Sequence, residues 1–177
     1  HARREAASLV RFTRDSGAYE AQLDGHANRY QLFVERAMAL TRPAGRLGLV
    51  LPFGLVGDHG SAPLRRLLFS RCGVDALVGF DNREGVFPIH RSMRFLLVTA
   101  TQGVPTGEIG CRLGERDPAV LDTEGDAQAP DLWFPVRVTP SLLQRLSGDD
   151  LALPDLRSPM DLAIVERVAA LFPPLGS

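Results

Sequence analysis

Few residues of this chain are of types that do chemistry, and they are sparsely placed. Asp58 and His59 are adjacent and could pass a proton. The hydroxyl nearest to them, Ser61, stands where a helix N-cap is expected, so no nucleophile–base pair is offered and a hydrolase is disfavoured. Asp149 and Asp150 form a carboxylate pair after a glycine with no third ligand in the pattern, which reads as solvated loop. His1, His26, His59 and His90 are scattered, and Cys72 and Cys111 make neither a C-x-x-C motif nor a Cys/His cluster. No zinc site and no disulfide framework is expected, and the compartment expected is a reducing cytoplasm. What remains is a charged loop, residues 81–92, carrying Phe87, Pro88 and Ile89, followed at once by His90, Arg91 and then Arg94. Taken alone, Phe87 reads as an apolar plug that closes the loop onto the body of the protein, and the three cations as surface charges.

The elements that must position this loop are legible from periodicity. The chain has 177 residues, 45% of them apolar, and a net charge of -1, enough for one domain with a real core. No apolar run is long enough to span a bilayer, and residues 1–15 carry charge throughout, so neither a membrane span nor a secretory signal is expected. All 20 basic residues are arginine, whose planar fork suits phosphate and carboxylate, but a near-zero net charge neither argues for nucleic acid nor excludes it.

Residues 28–54 organise the rest. Tyr30, Phe33, Val34, Ala37, Met38 and Thr41 fall at the spacing of one buried helix face, with Arg29, Glu35, Arg36 and Arg42 off it. Pro43 and Gly45 end that helix. Residues 47–51 run apolar without alternation, the pattern of a strand buried on both faces of a parallel sheet. A helix is predicted over residues 1–15. Another follows Ser61 and Pro63, with Leu64, Leu67, Leu68 and Cys72 inward and Arg65, Arg66 and Arg71 outward. Residues 74–80 and 93–101 read as strands. The first two strands, joined by a helix, should run parallel; no helix fits between the second and third, which should be antiparallel. Residues 108–113 and 132–138 are short strand candidates, with 114–131 a loop between them. Thr139 and Pro140 open a small helix closed by Gly148. Ser158 and Pro159 open a last one, with Leu162, Val165, Ala169 and Phe172 inward. The class is α/β. In such a sheet ligands sit beyond the carboxyl ends of the strands, which nominates the loops 52–60 and 81–92.

The residues themselves resemble a family. NRYQLFVERAMALTRPAGRLGLVLPFGL, residues 28–55, is similar to the region after the catalytic motif in adenine-N6 DNA methyltransferases of restriction–modification and phage-defence systems, type IIG-like single-chain enzymes included. There an aromatic-rich helix leads through a K/R-P-G-G turn into a strand that ends in V-P. The likeness continues through LRRLLF and through VDALVGFDNREGVFPIHRSMRFLLVTA, whose loop carries the family's V-F-P element. It covers residues 28–101 well and residues 1–27 loosely.

The resemblance implies a partial Rossmann-like class I methyltransferase fold: its late strands, a mixed sheet with an antiparallel last strand, and a C-terminal extension. Residues 1–103 would be the carboxyl half of the catalytic domain, and residues 104–177 an extension towards a target-recognition region. The family's Asn/Asp-Pro-Pro-aromatic motif and its glycine-rich S-adenosylmethionine loop are not in this sequence, where the one Pro-Pro is Pro173-Pro174. They are expected before residue 1, so the segment alone should not methylate. Enzymes that modify a base take it out of the stack. Phe87, stiffened by Pro88, would stack on the flipped adenine. His90, Arg91 and Arg94 would touch flanking phosphates, with Arg91 ahead of Arg94. Asn28 and Tyr30 would help to shape the cofactor pocket. The partners implied are double-stranded DNA and the amino-terminal half of the same methylase, with self-association expected of the isolated segment. The competing reading is a non-catalytic DNA- or partner-binding module derived from the same fold.

Overall fold

A computed structural model describes residues 11–13, 15–21, 28–122 and 133–172. Of the helix expected over residues 1–15, residues 11–13 and 15 are helical and the rest lies outside the described residues. Residues 123–131 of the expected loop and residue 132 of the expected strand are likewise outside.

The first full helix, α1, is Arg29–Leu40, and Asn28 caps it by accepting from the Tyr30 amide. Its buried residues are Gln31, Leu32, Val34, Glu35 and Met38. The expected stripe is therefore rotated. Val34 and Met38 are inward as predicted and Tyr30, Ala37 and Thr41 are half-buried, but Phe33 is 59% exposed. The reason is that two polar side chains find partners inside. Gln31 Nε2 donates to Ser61 Oγ at 2.9 Å and to Gly60 O at 3.3 Å. The Glu35 carboxylate accepts from the backbone amides of Glu20 and Ala21, tying residues 16–21 onto the helix. Hydrophobic periodicity carries no trace of such tertiary partners.

Strand β1, Arg46–Pro52, follows. Helix α2, Ala62–Arg71, then leads into β2, Cys72–Asp81; β3 is Arg94–Gln102, β4 Ile109–Glu115 and β5 Val136–Val138. They form one sheet in the order β1-β3-β2-β4-β5. β3 is antiparallel to both β1 and β2, so β1 and β2 run the same way with β3 inserted between them. Both orientations expected from the connections hold. The expectation that residues 47–51 are buried in parallel pairing does not. Among the described residues β1 pairs with β3 alone, and its burial alternates: Leu47 and Leu51 are inward while Val50 is 54% exposed. β4 runs parallel to β2, and β5 antiparallel to β4.

One face of the sheet is covered by α1, α2 and α3 (Pro140–Ser147). Leu47, Leu51, Val74, Leu77, Leu96, Val98, Ile109 and Cys111 meet Val34, Met38, Leu64, Leu68, Leu142 and Leu143 there. Full burial of each such aliphatic side chain contributes about 1.5–3 kcal/mol. The other face carries a smaller aromatic layer, Val78, Phe80 and Phe95 under Val86, Leu97, Trp133 and Phe134. Residues 109–115 and 136–156 thus extend the same sheet and core as residues 46–102.

Three helix details differ from expectation. Ser61 stands at the start of α2 but its hydroxyl does not cap; it lies 2.8 Å from the Tyr30 hydroxyl. Arg65, expected outside, is fully buried. Helix α4, Pro159–Leu171, starts as predicted, with a Ser158–Asp161 capping box. Leu162 and Val165 pack against the core, whereas Phe172 is 64% exposed, since the chain has left the helix axis by then. No described helix is long and apolar enough to cross a membrane.

Candidate functional site

The antiparallel pairing of β3 with both neighbours brings three chain segments to one edge. Phe95 is in register with Pro52 on one side and with Phe80 on the other, and Arg94 with Asp81. The loops that follow β1 and β2 therefore leave at the same edge, the one nominated from the sequence.

The loop after β2 is built around Asn82. Asp81 caps a short 3-10 turn, Asn82–Glu84, which ends at Gly85 with φ of +79°, a conformation that suits glycine. The Asn82 side chain is fully buried. Its Oδ1 accepts from the Phe87 amide at 2.9 Å, and its Nδ2 donates to the carbonyls of Phe87 and Ile89, each at 3.2 Å, and of His90 at 3.4 Å. Phe87 is 40% exposed. The edge of its ring rests on Phe95 (centroids 4.8 Å apart, planes at 74°), and Phe95 stacks on Phe80 at 5.0 Å with planes 7° apart. Phe87 is thus neither free nor a buried plug: one edge of the ring stands on an aromatic floor and part of the remainder meets solvent. Pro88 beside it is exposed.

The cations are disposed differently from one another. His90 is exposed, with Nδ1 at 2.7 Å from Ser92 Oγ. Arg91 folds back over Gly85 and donates to the Arg83 carbonyl at 2.9 Å, strapping the loop from outside. Arg94 neighbours Phe95 in a strand, so its side chain leaves by the opposite face of the sheet from the Phe87 floor. There its guanidinium lies 3.7 Å from the centroid of Phe53 and donates to Asp155 at 3.1 Å. Arg94 is committed within the protein, away from Phe87.

Arg157 first, and then Arg94, hold the Asp155 carboxyl below the usual carboxylate range. A carboxyl with a depressed folded-state pKa adds stability above its unfolded value, near 4, and that contribution is lost as pH falls through the folded value. The pair is partly solvated, so Asp155→Asn should cost under about 1 kcal/mol at neutral pH. Thermal melting of the two proteins should differ at pH 7 and converge below about pH 4.

The remaining candidates are structural. Asn28 caps α1, and the Tyr30 hydroxyl is taken by Ser61, so neither presents an open group. His59 pairs with Asp150 at 2.8 Å rather than with Asp58, and that hydrogen bond is what chiefly lowers the Asp150 pKa. Among the described residues no three His, Cys, Asp or Glu side chains are grouped to hold a metal. Sequence reasoning passed over Asn82 and the floor residues Phe80 and Phe95. The signal for Asn82 was there: an asparagine between a strand and a glycine turn is a residue that bonds nearby backbone.

Two parallel strands joined by a helix flank an antiparallel third, and the loops that follow them leave at one edge of a mixed α/β sheet. Residues 5–87 match the family described as Eco57I restriction-modification methylase. The match covers just under half of the chain and is to the family its residues resemble. No curated protein matches it. Among solved structures, the fold is similar to one in a type I restriction–modification complex (TM-score 0.57, 16% identity, 85% of this chain and 39% of that one). It is also similar to the M protein of the type I restriction enzyme EcoKI (TM-score 0.55, 12% identity, 81% and 42%). These are likenesses of fold, and the chain spans about two fifths of the length of each.

Proposed function

We propose that this chain is the carboxyl half of the catalytic fold of a DNA adenine-N6 methyltransferase, and that Phe87 stacks on the flipped adenine. The observation that carries this reading is the half-exposed Phe87 ring at the carboxyl edge of the sheet, fixed by Asn82 and standing on Phe95. A base removed from the duplex needs a flat apolar surface that is already in place, because ordering one on arrival costs binding energy. Pro88 stiffens the loop. His90 and Arg91 are exposed in the loop that carries Phe87, and Arg91 keeps donors beyond its bond to Arg83 O, which supports a role for both on the flanking phosphates. Arg94 is left out, since its guanidinium is engaged by Phe53 and Asp155.

S-adenosylmethionine, the methyl donor implied, does not fit the residues nominated for it here. The Asn28 oxygen is spent on a helix cap and the Tyr30 hydroxyl on Ser61, leaving no cradle between them. No step of methyl transfer is therefore assigned to this chain. Its part is to hold the base and to meet DNA in a cytoplasmic, double-stranded target. The amino-terminal half of the sheet would add at the edge of β1, whose outer hydrogen-bonding groups and exposed Val50 suit a further strand and its covering layer. Residues 1–103 form the catalytic half in this proposal, and residues 104–177 lead, on the same sheet, towards a target-recognition region.

The test uses the full-length parent protein with tritiated S-adenosylmethionine and mixed-sequence DNA. Label should appear on adenine N6 and fall about 10- to 100-fold in Phe87→Ala, the range expected for loss of one base–aromatic stack. Label unaffected by the substitution would remove Phe87 from the site and keep the methylase. Absence of label from a protein that still binds DNA would favour the binding module.

A further inference from the structure

We infer that Asn82 is the positioning residue of the base-stacking loop: its buried carboxamide sets where the Phe87 ring stands. The inference rests on the reading of Phe87 above and deepens it. Residues 85–92 contain no helix or strand, so their backbone groups have no ladder to join. They wrap instead around one side chain. Asn82 Oδ1 takes the Phe87 N–H, and the two hydrogens of Nδ2 are shared among the carbonyls of Phe87, Ile89 and His90. A carboxamide can offer two donors and an acceptor, and every one is used in a place that water does not reach.

The consequence for Phe87 is specific. Both its amide and its carbonyl are gripped by the same group, so its backbone, and with it the Cα–Cβ direction, is fixed from within the loop. The Phe95 ring fixes the other end of the side chain. Arg91, lying across Gly85, closes the loop on the outside. Without Asn82, the Phe87 amide and the Ile89 carbonyl would need water, while the Phe87 and His90 carbonyls would keep only their bonds from the Ile89 and Met93 amides, and the loop would have to open to admit that water. Phe87 would then sample several positions, and a misplacement of about 1 Å in a catalytic assembly can cost up to about 100-fold in rate. Asn82 touches neither base nor cofactor; it acts through Phe87.

The experiment compares wild type, Asn82→Ala, Phe87→Ala and the double variant in the full-length parent, with tritiated S-adenosylmethionine and mixed-sequence DNA. Asn82→Ala should lower kcat about tenfold or more. KM for DNA should stay within about twofold, because phosphate contacts set most of that affinity. The double variant should be no worse than the more impaired single one, since both remove the same placed ring. In the same sample, exchange of the Phe87 amide hydrogen should quicken while the global melting transition is retained. Should Asn82→Ala fail to fold, Asn82→Ser, whose hydroxyl can still bond the Phe87 amide, carries the same comparison. Wild-type kcat in the Asn82 variant beside an impaired Phe87→Ala overturns the inference and leaves the reading of Phe87 intact, as do losses that multiply in the double variant. Full activity in Phe87→Ala overturns both.

Discussion

Replacing Arg65 by methionine should destabilise this chain by about 3–5 kcal/mol, although the new side chain has nearly the same reach and is apolar. Arg65 has no exposed surface and yet carries a charge. Its Nε donates to Asp150 O at 2.7 Å, and its Nη1 to Leu55 O at 2.9 Å and to Asp58 O at 2.7 Å. Burial lowers its pKa, and the nearby carboxylates, Asp150 foremost, raise it only in part. Nη2 has no hydrogen-bond partner among the described residues. Removing a buried charge is itself favourable, so the sign of the outcome is a contest. The losses win because three carbonyls from two separate loops lose a donor at once, Asp58 O keeping only the Ser61 amide, and stranding a buried acceptor costs about 1–3 kcal/mol. Arg66, next along the helix, is exposed and donates to Asp149 O at 2.7 Å. Its replacement by alanine should cost under about 1 kcal/mol, as for exposed charged contacts generally. Chemical denaturation of the two variants measures the contrast. Equal losses would show that the carbonyls around Arg65 find water readily.

The same residue shows what a sequence can and cannot tell. Arg65 was assigned to solvent because it is charged, yet Ala62, Arg65 and Phe69 stand at i, i+3 and i+7 on α2 and all three are buried. The spacing was visible; the acceptors were not, for they lie in turns some ten and eighty-five residues away. Gln31 and Glu35 hide on α1 for the same reason, and their burial turns Phe33 outward. What was legible is what local chemistry decides. Capping residues placed the starts of α3 and α4 at Thr139 and Ser158. The absence of a helix between β2 and β3 gave their antiparallel pairing. Strand order was not legible, because β3 sits between β1 and β2 through contacts that no local pattern encodes. For the loop, composition nominated Phe87, His90 and Arg91, but only the fold separates them from Arg94, which the alternation of a strand sends to the other face.

Phe95→Ala should cost about 3–5 kcal/mol, the range for removing a buried aromatic ring, and should also abolish most of the methylation proposed to depend on Phe87. Phe95 is buried between two rings, stacked on Phe80 and met by the edge of Phe87. Truncation leaves a cavity on the second face of the sheet and removes the floor of the proposed site in the same stroke, so stability and activity would fall together and neither could be read from the other. Phe95→Leu separates them. Leucine fills much of the cavity, so the loss from the missing ring contacts should be about 0.5–1.5 kcal/mol for each pair. Asn82 still holds the Phe87 backbone in that variant, but nothing flat lies under its ring. Labelling of adenine by the full-length parent carrying Phe95→Leu therefore weighs the two supports. A loss as large as that of Phe87→Ala, in a protein that melts nearly as wild type, would mean that the floor places the ring. Labelling close to wild type would mean that the carboxamide of Asn82 suffices and that Phe95 serves the core alone.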